Sequence, residues 1–378
     1  MPRLGEIAAL AILVVGVACA DEGVRHPVRE AMPDPAGPML AHDTLPPAAL
    51  NSEAAARWAA VRRAILDARP GAVIGTLEGG GSSMFGAVTD VKIDERGQIY
   101  VLDRLNSAIT VFDSVGTVLA GFGGEGEGPL EFRLPIVLGL LEDGTLVVEE
   151  LGGALKRFER EEDGFAFLAR TPIGGLARAM CVVGNRIFAE SGFGLYEGLL
   201  AEYAADGPEE PLRSFGDEYS YGSEMTRMQM NQGSLACLAN PARVAFGFRA
   251  QPRLDLYSAE GDYIWTAGVA DYVQGWTVED TRDDGRPVVT TGGFPSEWLV
   301  GLSAASDDYI VAVYRRQMSE TAEAVPRAYL IDAATGWGAL IGTMEGRVAA
   351  IGRGLYVTVL DGLYPRLRVW HMHAGSPG

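Results

Sequence analysis

Apolar residues in this chain fall in short runs divided by turn-forming sequences, the pattern of a turn-dense β protein. The clearest stretch is Gly97–Pro135, with β-rich runs at Ile99–Leu102, Ile109–Phe112 and Val118–Phe122. Asp-Arg-Leu-Asn-Ser and Asp-Ser-Val-Gly divide them, both rich in residues that favour turns. With the preceding run Val88–Ile93 this makes four strands in about 35 residues, the size of one antiparallel β-propeller blade.

The unit repeats. Second strands align at Ile99-Tyr-Val, Leu146-Val-Val, Ile187-Phe-Ala, Val244-Ala-Phe, Ile310-Val-Ala and Leu355-Tyr-Val. Third strands align as ITVFD, LKRFE, LAEYA, LDLYS, AYLID and LRVWH, whose fourth residues are Phe112, Phe158, Tyr203, Tyr257, Ile331 and Trp370. A nearly all-aromatic position at one register suits a packing layer between neighbouring units. Fourth strands follow at Val118–Phe122, Phe165–Ala169, Leu212–Phe215, Tyr263–Ala267 and Gly338–Gly342, but the last unit has none. Val73–Leu77, ahead of the first unit, is placed as the missing outer strand, which closes the ring and removes an exposed edge. The region 268–297 reads as an insertion: its flanking second strands are 66 residues apart, whereas two blades need about 80–90. The expected fold is all-β, a six-bladed β-propeller of four-stranded antiparallel blades over 71–373, closed by an N-terminal strand. One N-terminal helix is expected within 51–70, capped by Asn51 or Ser52, with Trp58, Val61, Ile65 and Leu66 on one face that packs against the domain.

Asp103, Asn106, Ile109, Val111, Phe112, Asp113 and Gly116 form the pattern D-x-x-N-x-x-I-x-V-F-D-x-x-G. Phe122, Gly123, Gly126, Glu127, Gly128, Pro129, Glu131, Phe132 and Pro135 continue it as F-G-x-x-G-E-G-P-x-E-F-x-x-P. This resembles NHL-repeat propellers, and most of all the exported bacterial group called simply six-bladed β-propeller. The resemblance implies the fold and assigns no chemistry.

Residues 1–20 are expected to be a secretory signal, with Arg3 followed by an apolar run from Ile7 to Val17. Val17-Ala18-Cys19 resembles a lipobox, which would make Cys19 the lipid-bearing first residue of the mature chain. Ala18-Cys19-Ala20 is the competing signal-peptidase site. Residues 21–50, with six prolines and no apolar period, are expected to be a disordered tether. Together these place the protein in the bacterial envelope, periplasm or outer membrane, touching the membrane only through a lipid anchor. A monomer is expected. The net charge of −19 over 378 residues, without basic runs, excludes nucleic acid and electrostatic membrane docking. Cys181 and Cys237, at matching places in their units, read as buried core thiols, with a disulfide left open.

In a propeller, connections between second and third strands and between blades share one face. Here that set holds every long insertion: Gly123–Leu134, Gly216–Gln232, Gly268–Glu297 and Arg315–Arg327. Long connections on one face point to recognition there. The insertions carry Tyr219, Tyr221, Met225, Arg227, Met228, Met230, Tyr272, Trp276, Arg282, Phe294 and Trp298 in or near them. Shorter turns add the candidate ligand-binding residues Arg104, Glu150, Glu190, Arg249, Tyr314, Arg315 and Tyr364. Aromatic and Arg side chains offer large contact area with directional polar ends, and the ligand expected is a protein, a peptide or a carbohydrate. No catalytic residue or metal ligand is assigned. The four histidines, His26, His42, His371 and His373, lie in the tether or at the C-terminus, away from any channel. The alternative is an extracytoplasmic hydrolase or lyase using funnel carboxylates such as Glu149, Glu150 or Glu190. Gly123–Gly128 reads as an inter-blade turn, because its two glutamates would repel a phosphate. No cofactor is expected, and a structural calcium on this loop or on Asp-rich turns is the one ion considered.

Overall fold

The computed structural model describes residues 24–26, 37–76, 84–162, 164–173, 177–191, 197–206, 210–220, 222–281, 287–360 and 362–373. The chain begins with Val24–His26 (β1), Met39–Ala41 (β2), the helix Ser52–Leu66 (α1) and Arg69–Ile74 (β3). A first antiparallel unit follows: Val88–Ile93 (β4), Ile99–Asp103 (β5), Ala108–Phe112 (β6) and Val118–Gly123 (β7). The second is Pro135–Leu140 (β8), Leu146–Glu150 (β9), Ala154–Glu161 (β10) and Gly164–Pro172 (β11). The third is Met180–Val183 (β12), Arg186–Glu190 (β13), Leu200–Ala204 (β14) and Arg213–Phe215 (β15). After the short helix Glu224–Met230 (α2) come Gly233–Leu238 (β16), Arg243–Phe248 (β17), Arg253–Ser258 (β18) and Tyr263–Val269 (β19). The hairpin Trp276–Thr281 (β20) and Pro287–Gly292 (β21) precedes Ser296–Ala304 (β22), Tyr309–Gln317 (β23), Val325–Asp332 (β24) and Gly338–Thr343 (β25). Arg347–Gly352 (β26), Leu355–Leu360 (β27) and Arg366–His371 (β28) end the described chain.

Strands β4–β7, β8–β11 and β12–β15 form separate four-stranded sheets in simple sequential order. Strands β26–β28 form another, whose fourth strand is β3, with Ile74 opposite Leu367 and Arg69 opposite His371. The N-terminal strand thus lies where the sequence expects it, although it starts at Arg69 rather than Val73; Leu77 lies outside the described residues. The sets β16–β19 and β22–β25 repeat the order inside one nine-stranded sheet, because β2 bridges their outer strands with parallel pairing on both sides. Strand β1 adds to the β20–β21 hairpin, so the inserted region carries a three-stranded sheet.

The second strand of each unit is mainly apolar on both faces, and the two faces serve different joints. Ile99 and Val101 pack towards β27 and β28, while Tyr100 and Leu102 pack towards β9 and β10. The residue expected as a packing layer sits at each joint. Phe112 meets Val357 and Val369, Phe158 meets Leu102 and Ile109, and Tyr203 meets Val137 and Val147. Tyr257 meets Phe188 and Leu200, Ile331 meets Ala236 and Leu256, and Trp370 lies against the cluster of Val311 and Leu330. In each case the third strand packs on the preceding sheet, and the last sheet packs on the first.

Helix α1 is capped by Asn51, whose side chain accepts from the Ala54 N–H at 2.9 Å. It covers the joint between β22–β25 and β26–β28. Trp58 is fully buried there and donates its indole N–H to the Leu330 carbonyl at 3.0 Å. Ile65 is buried too, whereas Leu66 stays 39 % exposed.

Three expectations need correction. The segment expected as a disordered tether contains β1 and β2, and Leu40 is fully buried where β2 joins the outer strands of two units. Edge strands of neighbouring units with open hydrogen-bonding groups accept any extended chain of the right length, even one without apolar period. Second, both ends of the connection 315–327 are strand, since β23 runs to Gln317 and Arg316 pairs with Val325, which leaves 318–324 as the turn. Third, Cys181 and Cys237 are not thiols but a disulfide that joins β12 to β16, the first strands of adjacent sheets.

The NHL-like motif has a plain structural task. Asp103 accepts from the Gly86 and Ala87 N–H groups at 2.7 and 2.8 Å and from the Asn106 side chain at 2.7 Å. It therefore ties the turn after β5 to the segment leading into β4. In the glycine-rich connection, Gly123 and Gly124 have φ of +123° and +136°, and a Cβ on Gly123 would come within 2.5 Å of the Ser107 carbonyl. The Glu131 carboxylate accepts from the Gly128 N–H, and the buried Lys156 ammonium donates to the Gly128 carbonyl. The loop is a turn held by its own groups, as expected of an inter-unit connection.

Candidate functional site

Side chains of a strand alternate, so the third residue after the aligned start of a second strand faces the following unit. In β5 that residue is Leu102, an ordinary core residue. In β9 and β13 it is Glu149 and Glu190. Both carboxyls are buried, at 0 % and 6 % exposure. Glu149 accepts from the Ala177 N–H at 2.6 Å, on the segment leading into β12. Glu190 accepts from the N–H groups of Arg178 and of Gly233, the latter at the start of β16. Each glutamate thus reaches across a joint to the backbone that opens the next unit, on the side of the molecule where the long connections gather. The second oxygen of each, Oε2, has no hydrogen-bond partner among the described residues.

Burial sets the electrostatics. Desolvation pushes the Glu149 carboxyl up to about 9, helped by its neighbour Glu190 and opposed by the Ala177 N–H. Desolvation also pushes Glu190 up to about 8, against the pull of Arg178 and Arg249. Arg249 follows β17 directly and is exposed to solvent. Desolvation, with the like charge of Arg178, holds its guanidinium below the usual value, against the pull of Glu190. Two buried carboxyls thus lie at the joints between the second, third and fourth units, and the charges of Arg178 and Arg249 act on one of them, Glu190.

The sequence-derived candidates divide around this cluster. Glu190 and Arg249 belong to it. Glu150 does not: it is 1 % exposed, pairs with Lys156 at 3.2 Å and Arg170 at 3.6 Å, and accepts from the Arg133 N–H. It points away from Glu149 because the two are consecutive in a strand. Tyr314 is fully buried, edge-on to Tyr272 and Tyr329 with ring centroids 6.0 and 5.9 Å away, so no ligand reaches it. Arg104 and Arg315 are half-buried in other units, and Tyr364 lies under the Arg366 guanidinium, 5.6 Å from its ring centre. In the 216–232 connection, Tyr219 and Met230 are buried against Ala250 and hold α2 down, while Met225 and Arg227 face solvent. Cys19, Tyr221 and Arg282 lie outside the described residues. Arg178 is the member the sequence reading lacked, and Glu149 was named there only for the hydrolase or lyase alternative; counting three residues from each aligned second-strand start would have picked Glu149 over Glu150 for binding as well.

A second charged cluster closes the seam where β2 enters. Glu297 on β22 is buried and pairs with Arg316 at 2.8 Å and Arg327 at 3.2 Å. Asp271 pairs with Arg316 at 3.1 Å and with His42, which also contacts Arg327. Burial, then the Arg327 charge, hold the His42 imidazole below its ordinary value. His42, expected in the tether, is therefore part of a closed network. Among the described residues, no group of three His, Cys, Asp or Glu side chains could hold a metal ion.

No protein-family model and no curated protein matches the sequence. Solved structures do. A Bacteroides fragilis protein described as exported is similar over 89 % of this chain and 99 % of its own, with a TM-score of 0.51 at 10 % identity. A member of the DUF4221 family from Bacteroides vulgatus is similar over 81 % of this chain and 98 % of its own, with a TM-score of 0.51 at 9 % identity. The fold is that of a β-propeller. At such identities the likeness concerns the fold and nothing more. Among the described residues no helix is long and apolar enough to cross a membrane.

Proposed function

We propose that the chain is an exported six-bladed β-propeller that binds a ligand at the mouth formed by Glu149, Arg178, Glu190 and Arg249. The count of six rests on four separate four-stranded sheets plus two four-stranded runs inside the nine-stranded one, joined end to end by apolar clusters. The observation that carries the binding reading is the pair of buried carboxyls at one register of adjacent units. Each leaves one oxygen without a partner among the described residues, and the charges of Arg178 and Arg249 act on Glu190. Buried polar groups left unsatisfied are costly and are kept where a ligand completes them. The ligand classes it suits are a peptide, a protein segment or a carbohydrate, taken by a monomer.

Export is supported by the leader-like residues 1–20 and by the disulfide, a bond that persists in oxidising compartments. Lipidation at Cys19 is the further step: Cys19→Ser should abolish incorporation of labelled fatty acid, and persistent labelling would place the anchor elsewhere. The binding test is an array of immobilised peptides and glycans probed with the wild-type chain and with a variant whose residues 217–231 are replaced by a short linker. Ligands retained by the wild type and lost by the variant support the mouth. Equal binding by both overturns it.

A hydrolase or lyase is the second reading, because a carboxyl that keeps its proton near neutrality is what general-acid catalysis requires. It predicts turnover of an array ligand that Glu149→Gln or Glu190→Gln abolishes while binding survives.

A further inference from the structure

We infer that the gap between β19 and β25 is a strand-binding site whose intramolecular ligand is the segment 37–42, and that protonation of His42 releases that ligand. This site is separate from the Glu149 and Glu190 joints and does not depend on what binds there. Both hosts are outer strands that pair antiparallel within their own units, β19 with β18 and β25 with β24. β2 runs parallel to both: Met39 and Leu40 lie opposite Gly268 and Val269 on one side, Leu40 and Ala41 opposite Gly338 and Ala339 on the other. The Gly268 N–H donates to the Pro38 carbonyl at 2.9 Å, and the Ala270 N–H to the Leu40 carbonyl at 3.1 Å. A segment that completes two open edges in this way is held as an added strand is, by main-chain hydrogen bonds and a side-chain pocket.

The pocket belongs to Leu40, which is fully buried in one cluster with Leu254, Leu256, Trp265, Ala267 and Ile331, whereas Met39 beside it is 37 % exposed. Gly338 makes the room: a Cβ there would come within 2.8 Å of the Leu40 side chain. Gly37 passes so close to β19 that a Cβ on it would collide with the Thr266 carbonyl. The ligand this shape selects is an extended Gly-Pro-x-Leu-small sequence. Past Leu40 the segment is fastened by His42, whose Nε2 contacts Asp271 and whose Nδ1 contacts the Arg327 guanidinium, with the Tyr329 hydroxyl 3.4 Å from the ring. Arginine only donates, so Nδ1 keeps its lone pair and Nε2–H is given to Asp271; the seated ring is neutral. Around this contact, Arg316 pairs with Asp271 and Glu297, Glu297 also pairs with Arg327, and Asp43 on the segment itself is exposed. A proton on Nδ1 would aim an N–H at the guanidinium and replace the hydrogen bond with repulsion between two cations. Burial and the Arg327 charge, which hold this imidazole below its ordinary value of 6.5, agree with that geometry.

A released segment carries an ordinary histidine. Below 6.5 it takes up a proton that the seated form refuses, so release grows as pH falls. Hydrogen exchange of the full chain at pH 7.5 and pH 5, corrected for intrinsic rates, reads this at the Gly268 and Ala270 amides. Their protection should fall about tenfold at pH 5 while that of the β18 amides holds, and His42→Gln should flatten the difference. A fluorescent peptide of residues 37–44 tests the site itself. At pH 7.5 it should bind the full chain carrying Leu40→Asp, whose own segment cannot seat, and should not bind the wild type; the same peptide carrying Leu40→Asp should bind neither. An acid loss of protection as large in His42→Gln as in the wild type, or a folded Leu40→Asp chain that leaves the peptide free, overturns the inference. Should the Leu40→Asp chain fail to fold, the peptide carrying His42→Gln, which cannot be protonated there, is offered to the wild type at both pH values. Binding at pH 5 but not at pH 7.5 then supports the site, and no binding at pH 5 overturns it.

Discussion

Raising the pH should destabilise this protein, through Glu149 and Glu190. Both keep their protons in the folded chain well above the ordinary value of 4.5. Between that value and the folded ones, about 9 and about 8, the native state binds more protons than the unfolded chain. Stability therefore falls as pH rises through this window; below 4.5 both states are protonated and nothing is lost. Each pH unit inside it costs about 1.4 kcal/mol per group. From pH 6 to pH 8 each glutamate then costs about 3 kcal/mol, and the pair about 5 kcal/mol because Glu190 is half ionised at the upper end. That is a large share of the roughly 5–15 kcal/mol that stabilises an ordinary domain. Urea unfolding at pH 6 and pH 8 reads it directly. Glu149→Gln keeps an oxygen for the Ala177 N–H and cannot ionise, so it should remove about half of the loss; the double Gln variant should remove nearly all. A double variant that loses as much stability as the wild type would refute the assignment of buried protons to these two carboxyls.

Asp103→Ala strips acceptors from the Gly86, Ala87 and Asn106 N–H groups and should cost about 2–4 kcal/mol in chemical unfolding. Trp58→Ala removes a fully buried indole and its bond to Leu330, and a loss of about 3–5 kcal/mol with the same final unfolded signal is expected. Opening the Cys181–Cys237 bond, whose partners are 56 residues apart, should lower unfolding free energy by about 4 kcal/mol in the chain-entropy account. Comparing oxidised and reduced protein, with the double Ser variant as control, checks this.

Local chemistry made much of the fold readable in advance. Turn residues, β-rich runs and a recurring aromatic at one register sufficed to locate most strands, because hairpins are contacts between near neighbours in sequence; β3 was matched with the last sheet because that unit alone lacked an outer strand. The site was half legible. Glu190 and Arg249 stand at strand ends on the long-connection face, where polar residues interrupt apolar runs. Glu150 was preferred to Glu149 because a composition shift marks the pair but not which of them faces outwards. Only the registry of β9 against its neighbours decides that, and a shift of one residue exchanges the two faces.

By itself, the order of residues determined where strands begin and end, since that depends on alternation and turn propensity along a few positions. Tertiary structure alone decided that β2 would fill the gap between two outer strands, that Cys181 would meet Cys237, and that two glutamates of adjacent units would be buried close enough to act on each other. Those outcomes depend on which distant backbones lie side by side, and burial there, not residue type, shifts the proton equilibria on which the mouth depends.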